Sequence, residues 1–261
     1  MNIAPKKYLG QNFLLNSEII NKIVELGEIN KESNIIEIGP GTGNLTVELI
    51  KKKPRSFIAI EKDKYLYNQL KEKFNSNLEI INQDALKINW EKYLNQNILL
   101  FGNLPYNISA KLLINWIRLN KLNRIFKKFI LMFQKEVADR IIADVNSGKY
   151  GRLTILTKWK MNVKKIMDIE PENFFPVPKV KSSLVYFEPK NSHFFFKNPQ
   201  NLEKVTDIFF QNKRKMIKKP LNILFKDSNT IIKKLNLDIK LRPQNLNTST
   251  FFKISKEYED N

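Results

Sequence analysis

Carboxylate and amide side chains stand at the ends of successive short apolar runs in the first half of the chain. The first run leads into a glycine-rich turn at 39–43, and later runs end at Glu61, Asp84 and Asn103. A glycine-rich turn lets a ligand approach the backbone closely, and a carboxylate can accept hydrogen bonds from ribose hydroxyls. An acid beside backbone amides can recognise the amino edge of an adenine. The series predicts a site for a nucleoside-containing ligand, although any one of these acids taken singly is equally consistent with a solvated strand end.

The turn itself favours one nucleoside cofactor over another. It reads GPGTGNLT, so Leu45 stands where the dinucleotide fingerprint has its third glycine. The chain also offers a second polar strand end at Asp84. S-adenosylmethionine needs several polar strand ends for its adenosine and amino-acid ends, and it needs no pyrophosphate cradle. We therefore expect S-adenosylmethionine rather than NAD.

The stretch Asn103-Leu104-Pro105-Tyr106 has the residue types for methyl transfer to an adenine amine. The lone pair of that amine is delocalised into the purine ring, and acceptors for its two N–H groups favour a more tetrahedral nitrogen. The Asn103 oxygen and a backbone carbonyl can supply them. Pro105 restricts the backbone, and Tyr106 offers a face for an extruded base. Taken alone, the same four residues are equally consistent with a turn on which Tyr106 packs.

The elements that must position these residues alternate along the chain. The helical stretch 17–26 has one apolar face, and Ser17 is its expected N-cap. Short β-branched or aromatic runs are separated by helix-like stretches, which indicates a parallel, doubly wound α/β sheet. The predicted strands are 35–38, 57–60, 78–81, 98–101, 129–133, 153–161 and 183–189.

The composition and the pattern of predicted elements change after Pro189. Glycine is absent from residue 152 onward, strand-like runs stop, and helical stretches follow. We therefore predict a domain boundary near residue 189, with the proposed methyl-transfer residues in a domain over 1–189 and a small helical domain over 190–261.

Composition narrows the classes of function. The 261 residues include 45 Lys and Arg against 26 Asp and Glu, for a net charge of +19, and no cysteine. Thiolate chemistry and cysteine metal sites are excluded, and the single histidine, His193, makes no metal site, so none is predicted. The charge favours a nucleic-acid partner, although biased composition alone remains an alternative. No apolar run is long enough to span a membrane, and we expect a cytoplasmic protein. We also expect a monomer, since the basic surface repels its own copy.

The sequence closely resembles the ribosomal RNA adenine dimethyltransferase family of the KsgA type. The matching stretches cover nearly the whole chain in family order. They are KKYLGQNFL (6–14), IIEIGPGTGNLT (35–46), IEKD (60–63), QDAL (83–86), FGNLPYNIS (101–109), MFQKEVADR (132–140), YGRLTIL (150–156), FFPVPKVKSSLV (174–185) and FQNKRKMIKKPL (210–221). The resemblance implies a Rossmann-like class I methyltransferase sheet. It also implies N6,N6-dimethylation of two adjacent adenines near the 3′ end of 16S rRNA in the small ribosomal subunit or its precursor, with S-adenosylmethionine as donor and S-adenosylhomocysteine as product.

The resemblance also implies roles for single residues, which stay expectations here. Around the cofactor it places Asn12 and Leu14 over the methionine end, Gly39 and Gly41 against that end, Glu61 on the ribose, and Asp84 with Ala85 at the adenine. Around the target amine it places Asn103, which also touches the cofactor, the Leu104 carbonyl, Pro105, the Tyr106 ring as one wall and Phe174 as the opposite wall. A core role for Phe174 stays open, because Phe175 is its neighbour.

A basic run near the C-terminus is the expected RNA contact. It contains Lys213, Arg214, Lys215, Lys218 and Lys219, with Met216 and Ile217 expected as apolar anchors of one helix. Such cations contact phosphates and position RNA without reading sequence; a merely solvated face is the alternative. Further on, LRPQNLN keeps Arg242 but has Gln244 where the family usually has an acid, and we expect an altered local ion pair.

Two other functions stay open at this point. One is the macrolide-resistance type of methyltransferase, which modifies an adenine of 23S rRNA. The other is a non-catalytic RNA-binding assembly factor on the same fold. The segment FQNKRKMIKKPL argues for the 16S type, and intact Glu61, Asp84, Asn103 and Tyr106 argue for an enzyme.

Overall fold

A computed structural model describes residues 6, 10–74, 78–211 and 213–261. The described strands are β1 (Phe13–Leu14), β2 (Asn34–Ile38), β3 (Ser56–Glu61), β4 (Glu79–Asn82), β5 (Ile98–Asn103), β6 (Phe126–Gln134), β7 (Met161–Ile169), β8 (Phe174–Phe175) and β9 (Ser182–Pro189). The described helices are α1 (Ser17–Leu26), α2 (Asn44–Lys51), α3 (Lys64–Phe74), α4 (Ser109–Arg118), α5 (Leu122–Ile125), α6 (Lys135–Ile142), α7 (Arg152–Lys160), α8 (Gln200–Gln211), α9 (Lys218–Leu224), α10 (Ser228–Lys234) and α11 (Thr248–Asp260).

Within the described residues, seven strands form one sheet in the order β4-β3-β2-β5-β6-β9-β7. The strands β4, β3, β2, β5 and β6 run parallel, and β9 pairs antiparallel with β6. Ile38 lies opposite both Ile60 and Gly102, so β2, β3 and β5 end at the same edge. The α/β class and the parallel, doubly wound sheet predicted from the sequence are confirmed.

Alternation along β6 shows how the sheet is covered on both faces. Ile130 and Met132 belong to the hydrophobic core formed with α1, α2 and α3. Phe129 and Phe133 point the other way, and Phe129 packs against Trp116 of α4 at a ring distance of 5.6 Å. Successive residues of a strand face opposite sides, so one apolar strand serves two layers of helices.

Two local predictions were wrong. Asn16, not Ser17, caps α1, because its side chain accepts the N–H groups of Glu18 and Ile19. The predicted strand 153–161 is largely α7, a helix that is buried on almost all sides. Polar residues of α7 such as Thr154 and Thr157 are buried with the apolar ones. The helix therefore has no distinct polar face, and periodicity does not separate it from a buried strand.

The chain divides into two compact units. The first contains the described residues as far as Ala138 together with Val163–Pro189, and the second contains Asp139–Asn162 with Lys190–Asn261. The predicted boundary at 189 coincides with one of these divisions, but the structure differs by grouping 139–162 with the C-terminal helices. The physical reason is that the apolar surface of α7 is buried within the second unit, against α8 and α11.

The second unit is held together by helices, as the glycine-free C-terminal sequence suggested. Phe209 of α8 packs edge-on against Phe251 of α11, with 5.3 Å between ring centroids. In the part of the chain that is described, no helix is long and apolar enough to cross a bilayer.

Candidate active site

A cleft opens at the edge of the first unit where the parallel strands end. We call it the main cleft; its volume is about 1070 Å³, with the open mouth included. The structure brings to it almost all of the residues expected at the cofactor and the target amine. They are Asn12, Leu14, Gly39, Gly41, Glu61, Asp84, Ala85, Asn103, Leu104, Pro105 and Tyr106.

The glycine-rich turn after β2 uses a left-handed backbone. Gly39 has φ +66° and Gly41 has φ +60°, conformations that residues with a Cβ rarely adopt. A Cβ on Gly41 would lie 2.7 Å from the Phe13 ring, whereas a Cβ on Gly39 would meet nothing closer than the Asn103 carbonyl oxygen at 3.9 Å. Gly41 is therefore needed for packing, and Gly39 leaves space at the cleft for a ligand.

Glu61 ends β3 as a buried carboxylate with two backbone donors. The N–H of Asp63 donates to Oε1 at 2.8 Å and the N–H of Gly41 donates to Oε2 at 3.3 Å. Burial raises the pKa of Glu61 to about 7, against the lowering effect of these hydrogen bonds, and the charge of Asp63 adds to the rise. Each carboxylate oxygen still has a lone pair for a hydroxyl donor.

Glu37 is a cleft residue that the sequence analysis did not select. It is 2% exposed, and Thr46 Oγ1 donates to its Oε2 at 2.7 Å. Burial raises its pKa to about 8, the Thr46 hydrogen bond lowers it, and the nearby charge of Glu61 raises it further. The available signal was an acid inside the otherwise apolar run IIEI, because carboxylates are seldom fully buried without a reason.

Asp84 follows β4 and begins a 3-10 turn that contains Ala85. Its Oδ1 accepts the N–H of Leu86 at 2.9 Å, and Lys62 Nζ lies 2.9 Å from Oδ2. Burial raises the pKa of Asp84, but Lys62 and Leu86 outweigh that effect, and the pKa lies below its usual range. The carboxylate therefore stays charged and acceptor-only near neutral pH.

Asn103 ends β5 and is tied to the N-terminal segment. Its Nδ2 donates to the backbone carbonyl of Asn12 at 2.5 Å. With the amide nitrogen anchored in this way, the Oδ1 atom can accept hydrogen bonds from a ligand. Leu104 follows; it is 1% exposed and is one of the residues that line the main cleft.

Tyr106 is anchored by a partner that the sequence did not reveal. Its hydroxyl lies 2.6 Å from Ser182 Oγ at the start of β9. The carbonyl of Pro105 accepts the N–H groups of Ile108 and Ser109, which closes the turn before α4. These contacts hold the Tyr106 ring at the wall of the main cleft.

The structure contradicts the expected position of Phe174. β1 and β8 pair antiparallel, with Leu14 opposite Phe174 and Phe13 opposite Phe175. Leu14 and Phe174 share the face that packs into the core, so Phe174 is only 1% exposed, while Phe175 is 51% exposed. Phe174 is a core residue here, and the strand alternation explains why.

In the second unit, the basic run lines a separate depression. We call it the basic groove; it is formed by Arg214, Lys215, Met216, Lys218, Lys219, Asn222, Ile223 and Arg242. The expected single helix is wrong, because α9 begins only at Lys218; Ile217 is buried, but Met216 is 57% exposed. Lys213 differs from the others, because its Nζ donates to the Gly148 carbonyl at 2.7 Å.

Comparison with known proteins points in one direction. A sequence profile described as "Ribosomal RNA adenine dimethylase" matches residues 3–260. "Ribosomal RNA small subunit methyltransferase A" of Pelagibacter ubique (strain HTCC1062) is 51% identical over 261 residues, which is 100% of this chain and 99% of that protein.

Solved structures agree with the sequence match. A dimethyladenosine transferase from Plasmodium falciparum superposes with a TM-score of 0.83 at 30% identity, covering 95% of this chain and 98% of that one. The 23S rRNA methyltransferase ErmE superposes with a TM-score of 0.69 at 21% identity, covering 95% and 100%. At that identity the second similarity shows the fold alone.

Proposed function

The chain belongs to the ribosomal RNA adenine dimethylase family, and from that membership we propose that it dimethylates two adjacent adenines near the 3′ end of 16S rRNA. The donor is S-adenosylmethionine, the product is S-adenosylhomocysteine, and the acceptor is the exocyclic amine of each adenine. The substrate is the small ribosomal subunit or its precursor, so the enzyme acts in ribosome biogenesis.

One observation carries the proposal. The main cleft contains four groups that follow the ends of neighbouring strands: the glycine turn after β2, Glu61 at the end of β3, Asp84 after β4 and Asn103 at the end of β5. Their order along the sheet edge suits an adenosine-containing donor and an adenine acceptor. The whole-length relative named as a small-subunit methyltransferase supports the choice of rRNA.

The residues of the main cleft fit S-adenosylmethionine. Gly39 leaves open space at the cleft, Glu61 offers two acceptor oxygens for ribose hydroxyls, and charged Asp84 suits an adenine amino group. Asn12 and Leu14 line the same cleft for the methionine end. When bound, this cofactor supplies a methyl group on a positively charged sulfur.

The chain's own residues position the target amine. Oδ1 of Asn103 and the carbonyl of Leu104 accept the two N–H groups, which favours a nitrogen lone pair directed at the methyl group. The ring of Tyr106 stacks on the extruded base, an interaction worth about 1–3 kcal/mol. Phe174 takes no part, because its ring is buried in the core.

The basic groove is the proposed contact with rRNA phosphates in the second unit. Arg214, Lys215, Lys218 and Lys219 are exposed there, and Arg242 joins them. Lys213 belongs to the same run, although its ammonium already donates within the protein. We also propose that the enzyme is a cytoplasmic monomer without a metal. The +19 charge supports the monomer, and the lack of cysteine supports the absence of a metal site.

The test uses small subunits that lack the modification. Purified protein is incubated with S-adenosylmethionine labelled on its methyl group and with 30S or 50S subunits. We expect label only in 30S subunits, in the 3′-terminal region of 16S rRNA, as N6,N6-dimethyladenine. Label in 23S rRNA would support the macrolide-resistance type, and RNA binding without label would support the non-catalytic assembly factor.

A further inference from the structure

Asp63 is a buried carboxylate whose contacts reach beyond its own loop. It is 4% exposed, Lys6 Nζ lies 3.0 Å from it, and Gln11 Nε2 donates to Oδ2 at 3.1 Å. The N–H of Tyr65 donates to Oδ1 at 2.9 Å. Burial raises the pKa of Asp63, but the hydrogen bonds from Lys6 and Gln11 outweigh it, so the net shift is downward and the group stays charged. A buried charge is tolerated only with such partners.

The backbone of the same residue reaches the ribose side of the main cleft. Its N–H donates to Glu61 Oε1 at 2.8 Å, while Gly41 holds the other carboxylate oxygen. Asp63 therefore contacts the proposed ribose acceptor through its backbone and the N-terminal segment through its side chain.

On the N-terminal side, the contacts lead to the target end of the cleft. The Gln11 amide is fixed at both ends, because Oε1 accepts the N–H of Lys6 at 2.7 Å while Nε2 donates to Asp63. The next residue is Asn12, whose carbonyl accepts the hydrogen bond from Asn103. Residues 10–14 all line the main cleft. The orientation of the Asn103 amide thus depends on a segment that Asp63 holds through Gln11.

We propose that Asp63 is a positioning residue that fastens residues 10–14 over the main cleft and so holds the Asn12 carbonyl against the Asn103 amide. The catalytic consequence rests on the proposed function, but the fastening itself does not. A simpler role is the helix cap: Asp63 precedes α3 and accepts the Tyr65 N–H. The experiment must separate these two roles.

The substitution Asp63→Asn separates them. Asparagine caps a helix about as well as aspartate, so α3 keeps its cap. It loses the charge that pairs with Lys6, and it offers a single acceptor oxygen to the three donors that now reach the carboxylate. The matched control is Asp227→Asn, since Asp227 caps α10 and accepts the Thr230 N–H at 3.2 Å.

The first readout is hydrogen exchange of the ligand-free protein. We expect Asp63→Asn to raise the exchange rate of backbone amides in 11–14 about tenfold, and Asp227→Asn to leave them unchanged. Gln11→Leu, which leaves the α3 cap untouched, should reproduce the effect and serves if Asp63→Asn does not fold. Unchanged exchange at 11–14 in both variants would overturn the proposal.

The second readout is methyl transfer. We expect kcat to fall about tenfold in Asp63→Asn and in Gln11→Leu, and the double variant to be no slower than either alone, because both remove one connection. Additive losses would contradict a shared connection. If the wild-type chain transfers no methyl group while exchange still rises in the variants, the proposed function fails and the fastening stands.

Discussion

The main cleft and the basic groove handle charge in opposite ways. In the cleft, Glu37 and Glu61 are buried carboxyl groups, and burial raises their pKa values to about 8 and about 7. In the groove, Arg214, Lys215 and Lys218 present their cations to solvent. In the cleft, hydrogen bonds fix the position of single atoms, whereas the cations of the groove attract and position a polyanion without reading its sequence.

This difference suggests a division of labour. The side chains of the cleft are held at strand ends and by backbone N–H donors. In their proposed role they position a small ligand, for which a displacement of one ångström matters. In their proposed role, the exposed lysines of the groove act on rRNA as a charge surface, and we expect their effect to depend on salt. Changes in the cleft should therefore alter transfer or cofactor binding, and changes in the groove should alter RNA affinity.

The largest expected effect comes from Asn103→Ala. Loss of the acceptor at Oδ1 and of the hydrogen bond to Asn12 should lower kcat by about 10²–10³-fold, the scale seen when one positioned polar group is removed from an active site. RNA affinity should stay within about twofold of wild type. Single-turnover transfer measures the rate, and filter binding of 30S subunits measures the affinity. An equal fall in both would contradict the division of labour between the cleft and the groove.

The second prediction concerns the two neighbouring phenylalanines of β8. Phe174→Ala should cost about 3–5 kcal/mol of unfolding free energy, because it leaves a cavity in the core. Phe175→Ala should change stability by less than about 0.5 kcal/mol, since that ring is half exposed. Urea unfolding measures both. A larger loss of unfolding free energy in Phe175→Ala than in Phe174→Ala would contradict the core position of Phe174 and favour its expected place at the cleft wall.

The contrast between Phe174 and Phe175 shows which features the sequence predicts and which depend on pairing between distant segments. The strand ends at Glu61, Asp84 and Asn103 were predictable because parallel strands share an edge. The side to which Phe174 points depends on its antiparallel pairing with Leu14, 160 residues away, as set by the β1–β8 register. Likewise, α7 was mistaken for a strand because its burial on almost every side removed the polar face that marks a helix.

The third prediction tests the charge state within the cleft. In its proposed role as the ribose acceptor, Glu61 must be ionised to accept two hydroxyl donors, and burial raises its pKa to about 7. Affinity for S-adenosylhomocysteine should therefore fall as the pH falls, by about tenfold from pH 8 to pH 6. Neighbouring Glu37, with a pKa of about 8, and charged Asp63 face the same carboxylate.

The control for that prediction is Glu61→Gln. Its affinity should be about 10–100-fold weaker at pH 8, since an amide has one acceptor oxygen, and nearly independent of pH over this window. Calorimetric titration at both pH values gives the comparison. A pH dependence that survives in Glu61→Gln would assign the titration to another group, Glu37 first.

The smallest expected effect per substituted residue comes from the basic groove. Replacing both Lys215 and Lys218 by Ala should weaken 30S binding about tenfold at moderate salt and reduce the slope of log affinity against log salt by about 2. The affinity for S-adenosylhomocysteine should not change. Lys213→Ala is the matched control, because its ammonium donates to the Gly148 carbonyl and does not line the groove. If Lys213→Ala lowers the slope as much per charge as the groove lysines do, the RNA responds to net charge alone, and the basic groove has no special place in binding.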